Sequence, residues 1–413
     1  MQLPDPVELS DLLEPFSRRG IDLALGRLEA ALAEAGHPER QFVAVQVAGT
    51  NGKGSICTFL GAILQAAGLH CAIYRSPHLV SWCERLELNG QWISGPDLRR
   101  AVASWQQLGE RHRLTPFELL TGAAFSHCAG AAIDLAVLEV GLGGRLDATT
   151  THPDRRVLGM ASIGLDHCEH LGSSLGAIAA EKAGVFQPGA VAISGPQLPE
   201  VAAVLTREAQ AQGTQLHWVE PLGSDQPLGL AGQWQRSNGA VARAMAEALR
   251  GQGWAIPAAA INQGLAAARW PGRLELCRWQ GQELLIDGAH NPPAAAALRQ
   301  ELDHISNKGA PGPRRWLLGI QRHKQGPEML ASLLGPADQA WIVVIPGHLS
   351  WGAAELAAAV PGLAGQLSPA PSLEEGLAQL MAPEGRPLAP PLVAGSLYLL
   401  GALQPLLERP DCR

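Results

Sequence analysis

Gly49-Thr50-Asn51-Gly52-Lys53-Gly54-Ser55 is the segment whose residue types are best suited to chemistry. Glycines let backbone N–H groups approach phosphate oxygens, and a helix N-terminus adds a favourable dipole. Lys53 has the reach to neutralise β- and γ-phosphates, and Ser55 offers a hydroxyl to an oxygen or a metal. The spacing departs from G-x-x-x-x-G-K-[ST], because Val47 stands where that pattern has its first Gly and Gly54 where it has Ser or Thr. Glu139 ends an apolar run just before Gly141-Leu142-Gly143-Gly144. A carboxylate at a strand end can hold Mg²⁺, a hard cation that takes oxygen ligands and is shared with substrate phosphates. Those glycines do not make a dinucleotide fingerprint, since position 146 is Leu146. His167, Cys168 and His170 cluster, but no second Cys/His pair has the ligand spacing of a zinc site. Asp287 and Asn291 suit ribose hydroxyls and phosphates, and Arg273 suits phosphate or developing negative charge.

These residues need a frame that brings them together. Phe42–Ala48 is an apolar, β-branched run before the glycine segment. After it, Ile56, Phe59, Leu60, Ile63, Leu64 and Ala67 fall on one face of a helix that Gly68 is placed to end. Further strands are expected at Cys71–Arg75, Leu135–Val140, Val157–Ile163 and Ala190–Ser194, with helical stretches between several of them. Such alternation implies a parallel α/β sheet. Residues 220–235 read as loops and Ala240–Arg250 as a helix. Trp270-Pro271-Gly272-Arg273 is a strong breaker, beyond which strands restart at Leu284–Asp287, Trp316–Ile320, Ala340–Ile345 and Leu392–Ser396. Segment 355–391 reads as short helices and loops. The expectation is two domains, 1–270 and 271–413.

Composition sets outer bounds. The chain has 413 residues and a net charge of −7, from 31 Lys and Arg against 38 Asp and Glu. That balance argues against a general nucleic-acid binder, which needs clustered cations. With 46% apolar and 17% charged residues the chain is expected to be compact rather than disordered. No apolar run is long enough to suggest a membrane span, and the N-terminus has no signal-peptide pattern. The odd number of scattered cysteines, none in a C-x-x-C pair, fits a reducing cytoplasm. A cytoplasmic monomer acting on small molecules is the expectation.

The form G-T-N-G-K-G-S resembles the ATP loop of the Mur ligase superfamily. Ser76-Pro77-His78-Leu79-Val80 with Glu84-Arg85 narrows the resemblance to folylpolyglutamate synthases and dihydrofolate synthases. It continues through Glu139–Thr149, Leu165-Asp166-His167, Glu181-Lys182-Ala183-Gly184, Pro271-Gly272-Arg273, Asp287–Pro292 and Gly395-Ser396-Leu397-Tyr398. The order of so many short motifs is specific where each alone is weak. The resemblance implies an N-terminal ATP-binding domain with a mainly parallel sheet and a smaller C-terminal α/β domain. It implies that Gly49, Thr50, Asn51, Gly52, Lys53, Gly54 and Ser55 hold ATP, that Asn238, Arg273 and Asp287 also serve the nucleotide, and that Ser76, Glu139 and His167 bind Mg²⁺. Lys182, a surface lysine near a helix end on a bland reading, is implied to be carbamylated by CO₂. Carbamylation replaces an ammonium with an anion that can orient metal ligands. Lys53, Lys182 and His290 are the implied catalytic residues. The acceptor acid is implied to meet Asp22 and Leu23 in Ile21–Arg27, Thr115 and Phe117 in Thr115–Glu118, and Asp147, Ala148 and Thr149. Phe117 can offer an apolar face to a flat pterin ring. Two departures stand out: Ala24 replaces a common Gly, and Gln321-Arg322-His323-Lys324-Gln325 lacks both acids of the family's Asp-Lys-Asp triplet.

The reaction implied is amide formation. Transfer of the ATP γ-phosphoryl to a carboxylate makes an acyl phosphate, which the amine of L-glutamate attacks, giving an amide, ADP and phosphate. The acceptor is dihydropteroate, a reduced folate or both. Such chemistry needs positioning, charge neutralisation and water exclusion more than a side-chain nucleophile. No G-x-S-x-G elbow suggests a hydrolase. The rivals are an ATP-hydrolysing switch, recognisable by turnover without acid or amine, and another Mur-type amino-acid ligase. The second is disfavoured by Ser76-Pro77-His78 and Ile21–Arg27.

Overall fold

The computed structural model describes residues 3–17, 20, 22–306, 312–382 and 390–408, so Ile21, Cys412 and part of segment 355–391 lie outside the described residues. The chain forms two compact units, one of residues 1–230 and 234–269, the other of 231–233 and 270–413.

Among the described residues the first unit holds eight strands: β1 (Val43–Ala48), β2 (Cys71–Tyr74), β3 (Leu86–Leu88), β4 (Gln91–Trp92), β5 (Leu135–Glu139), β6 (Arg155–Met160), β7 (Val191–Ser194) and β8 (Gln215–Trp218). They form one sheet in the order β4-β3-β2-β5-β1-β6-β7-β8. All neighbours from β2 to β8 are parallel, while β3 and β4 add an antiparallel edge. Every residue of β5 is buried, without alternation, as in a strand covered on both faces. One face carries a core that includes Ala44, Ala72, Leu138, Leu119 and Phe125. A second core gathers Leu158, Met160, Ile178, Val185 and Leu205. The helix Lys53–Ala66 is buried on nearly all sides from Gly54 to Leu64, packed by the helices Trp234–Gly251 and Ala258–Ala267. Because the strands run parallel, the carboxyl ends of β2, β5, β1 and β6 share one edge, where open α/β sheets bind ligands.

The second unit has β9 (Glu275–Trp279), β10 (Gln282–Ile286), β11 (Arg315–Leu318), β12 (Gln339–Val343), β13 (Leu367–Ala370) and β14 (Leu392–Ala394), in the order β13-β12-β11-β14-β10-β9. Only β9 runs antiparallel to its neighbour. Both units are thus mainly parallel α/β, as the alternation implied.

Several boundaries differ from the sequence reading. The strand expected at Val157–Ile163 is Arg155–Met160, and the helix expected at Ala240–Arg250 starts at Trp234. Segment 355–391 contains β13 as well as helices. No helix among the described residues is long and apolar enough to cross a membrane.

Candidate active site

The glycine segment joins β1 to the helix Lys53–Ala66. Its conformation needs glycine twice. Gly49 has φ +137° and Gly52 φ +102°. A Cβ on Gly49 would lie 2.6 Å from that of Ala161, and one on Gly52 would run into Asn238 Oδ1. The segment is lashed to the chain beyond β6. Thr50 N and Asn51 N donate to Ser162 O at 2.8 and 3.2 Å. Thr50 Oγ1 donates to Gly164 O at 3.0 Å and accepts from Gly164 N at 3.1 Å. Lys53 Nζ folds back on the loop, donating to Gly49 O and Thr50 O at 3.1 Å each. Ser55 is buried in the first helical turn. Gly52→Ala is expected to cost about 1–2 kcal/mol for the positive φ alone and to force Asn238 off the loop. A lowered melting temperature together with a raised KM for ATP is the result to look for.

On the neighbouring strand, β5 ends at Glu139, which is 5% exposed and paired in register with Val47. Its Oε2 accepts from Ser76 N at 3.3 Å, so the ends of β2 and β5 meet there. A buried carboxylate beside a serine, one strand from a phosphate loop, is an oxygen donor set that fits Mg²⁺. His167 lies beyond β6 with φ +52°, flanked by Asp166 and Glu169 at 3.9 and 3.8 Å.

Lys182 occupies the last turn of the helix Leu175–Ala183 and is 5% exposed, not the surface lysine of the bland reading. Its Nζ donates to Gly49 O at 2.8 Å, so Lys53 and Lys182 share one carbonyl of the loop. Burial first, and the charge of Lys53 second, bring its pKa down to about 7, with Asp166, Asp147 and Glu181 pulling the other way. At its ordinary pKa the amine is neutral in roughly one molecule in three thousand at pH 7; at about 7 it is neutral in about half.

The residues expected to meet the acceptor acid divide. Arg27 donates to Asp22 Oδ2 at 2.7 Å and to Glu118 Oε1 at 3.2 Å. Glu118 completes a capping box with Thr115, the N-cap of the helix Pro116–Gly130. Asp22 is thereby tied to Thr115 and Phe117, with Leu23 half-buried beside it. The Phe117 ring lies 6.1 Å from that of Tyr74 and so close to Gly141 that a Cβ there would be 2.7 Å from Phe117 Cζ. Asp147, Ala148 and Thr149, by contrast, are buried in the scaffold, at 2%, 4% and 0% exposure. Asp147 Oδ2 accepts from Gly141 N and Leu142 N at 2.9 and 3.0 Å. Its Oδ1 accepts from Thr149 N and Thr149 Oγ1 at 2.9 and 2.5 Å. Four donors fill the carboxylate's lone pairs, so Asp147 shapes the loop. Below it, Gln46 Nε2 donates to Thr149 Oγ1 at 2.8 Å while Gln46 Oε1 accepts from Arg155 Nη1 at 2.6 Å.

Sequence reasoning left His78, Trp82 and Arg85 without roles. Arg85 Nε donates to His78 Nδ1 at 3.0 Å and its guanidinium lies 4.3 Å over Trp82. Burial, then Arg85, pushes the His78 pKa down to about 3, which keeps it a neutral acceptor. The Glu84 carboxylate gathers the N–H groups of Leu79, Val80 and Ser81.

In the second unit, Asp287 follows β10 and accepts from Leu274 N and Ala289 N at 2.9 Å each. Burial raises its pKa, and the charge of Arg273 opposes that. Arg273 Nη1 lies against Gly288. His290 Nδ1 donates to Gly288 O at 2.8 Å, which sets its tautomer. Asn291 is buried and caps the helix Pro292–Ser306 through Ala294 N at 3.0 Å, a structural use of the amide that the sequence reading had given to ribose or phosphate.

The family model for the dihydrofolate synthetase C-terminal domain matches residues 277–407. The chain is 34% identical to the dihydrofolate synthase/folylpolyglutamate synthase of Mycobacterium tuberculosis over 355 residues, 73% of this chain and 72% of that one. It belongs to the dihydrofolate synthase/folylpolyglutamate synthase family. Solved structures of this family superpose along nearly its whole length. Escherichia coli FolC in complex with DHPP and ADP matches with a TM-score of 0.83 at 29% identity, covering 98% of each chain. A bifunctional folylpolyglutamate synthase/dihydrofolate synthase with Mn, AMPPNP and L-glutamate bound gives 0.82 at 29%, covering 98% of this chain and 99% of the other. As a member of this family the chain is an ATP-dependent ligase.

Proposed function

We propose that this chain uses ATP and Mg²⁺ to join L-glutamate to dihydropteroate, to a reduced folate or to both. The observation that carries the reading is the phosphate loop with Lys53 in place, set one strand from the Glu139 carboxylate. The N-terminal unit acts as the ATP-binding, Mur ligase central-type domain and the C-terminal unit as the Mur ligase C-terminal-type domain, in a cytoplasmic monomer.

Loop N–H groups from Gly49 to Ser55, with Lys53, hold the triphosphate and neutralise charge as the γ-phosphoryl passes to the acceptor carboxylate. The acyl phosphate then takes the glutamate amine at its acyl carbon, phosphate leaves, and the amine gives up a proton. Ser76, Glu139 and His167 would hold the metal, which supplies charge compensation at the phosphates when bound. Asn238, Arg273 and Asp287 serve the nucleotide, and His290 orients a reacting group through the tautomer that Gly288 O sets. Asp22, Leu23, Thr115 and Phe117 receive the pterin side, while Asp147, Ala148 and Thr149 hold the loop that backs it. Incubation with ATP, Mg²⁺, glutamate and either acceptor, followed by weighing the products, tests the reading. ATP turnover without acid or amine dependence would speak for a switch instead.

Glu139→Gln keeps the size of the side chain and removes its charge. The Mg²⁺ concentration for half-maximal rate is expected to rise by about 10–100-fold or more. An unchanged Mg²⁺ titration in both Glu139→Gln and His167→Ala removes the metal assignment.

A further inference from the structure

Gln235 and Asn238 lie one turn apart near the start of the helix Trp234–Gly251, and both are buried. Asn238 Nδ2 donates to Gln235 Oε1 at 2.9 Å. With Gln235 Oε1 as the acceptor for its nitrogen, Asn238 presents Oδ1 to Gly52, where a Cβ would collide with it. Gln235 itself has no exposed surface, and its Nε2 has no hydrogen-bond partner among the described residues. Leaving a buried amide nitrogen unmet is unfavourable, and a methionine of similar length would fill the same space without that cost. The side chain's gain must therefore come from its acceptor, Oε1.

We propose that Gln235 is a positioning residue for the nucleotide: it holds Asn238 in the one amide orientation that backs Gly52 of the phosphate loop. The proposal rests on the reading that this loop and Asn238 serve ATP. Losing the hold leaves the loop less ordered before ATP arrives, so the ordering is paid from binding energy and affinity falls. The loss is one of uniform binding, which raises KM and spares kcat.

The test compares Gln235→Met, Asn238→Ala and the double variant in the full-length enzyme, with Gln235→Leu as a second apolar replacement should the methionine variant fail to fold. Gln235→Met is expected to raise the KM for ATP by about fivefold to tenfold, the equivalent of one lost hydrogen bond. The kcat, the KM for glutamate and the melting temperature should stay near the parent values. The double variant should match Asn238→Ala alone, because Gln235 acts through Asn238. Additive effects overturn the proposal, as does a lowered melting temperature with an unchanged KM for ATP. If Asn238→Ala raises that KM and Gln235→Met does not, the inference alone fails. If Asn238→Ala leaves it unchanged, the nucleotide assignment of Asn238 fails as well.

Discussion

Replacing Lys53 by alanine is expected to lower ATP-dependent ligation by at least about 10²–10³-fold, the scale of losing one preorganised charge-stabilising group, with the fold intact. Among the described residues its ammonium binds two loop carbonyls, Gly49 O and Thr50 O. Those carbonyls cannot outbid a triphosphate for a full positive charge, so the amine is held at the place where negative charge arrives. Little else leans on the side chain, which is half-buried at the start of its helix. A thermal melt close to the parent and a near-complete loss of ADP release are the paired readings. Normal turnover by a folded Lys53→Ala variant would falsify the assignment.

Lys182 carries the second large effect. Its substitution by Ala or Arg is expected to remove most activity, because neither can supply an anion beside the loop. Carbamylation joins the amine nitrogen to the carbon of CO₂ and releases one proton, so it requires the neutral amine. With the pKa at about 7, that form grows as pH rises through neutrality, and at fixed dissolved CO₂ the activity should rise with it. The carbamate nitrogen keeps one hydrogen, enough to preserve the bond to Gly49 O. It also replaces the like-charge pair Lys53–Lys182 with an opposite-charge one. Stripping CO₂ from buffer and enzyme should depress the rate reversibly, and a short acid such as acetate should partly restore Lys182→Ala. Full activity in Lys182→Ala, or an unmodified lysine in an active preparation weighed under gentle conditions, removes the carbamate from the mechanism.

What the sequence disclosed follows from which signals are local. β1 and its helix were legible because an apolar run, a glycine cluster and a 3.6-residue stripe follow one another. β10, β11, β12 and β14 were legible as apolar runs within a residue or two of their ends. The strands that escaped notice lie at or beside sheet edges and carry polar residues: β3 with Glu87, β4 with Gln91, β8 with Gln215 and His217, β9 with Glu275 and Arg278, β13 with Ser368 and Pro369. A half-solvated strand has no apolar run to announce it. In the site, strand-end position nominated Glu139 without help. Type and motif say nothing of the burial of Asp147, Ala148 and Thr149. Thr149 is held by Gln46, 103 positions earlier in the chain, and Arg155 holds Gln46 in turn. Gln235 could have been suspected from its spacing of three from Asn238, but its unmet nitrogen is visible only in three dimensions.

The bonds between Thr50, Asn51, Ser162 and Gly164 also make a statement about amide hydrogen exchange. The N–H groups of Thr50, Asn51 and Gly164 are protected by partners more than a hundred residues away, across the gap between two strand ends. Thr50 N and Asn51 N share one acceptor, Ser162 O, and Gly164 N is bonded to the Thr50 hydroxyl, so all three should exchange at one common rate, as a single cooperative unit. Ser162 and Gly164 lead within a few residues to His167. Nucleotide added to the enzyme should therefore slow deuterium uptake in two peptides at once, one covering residues 49–55 and one covering 160–168, with matched time courses.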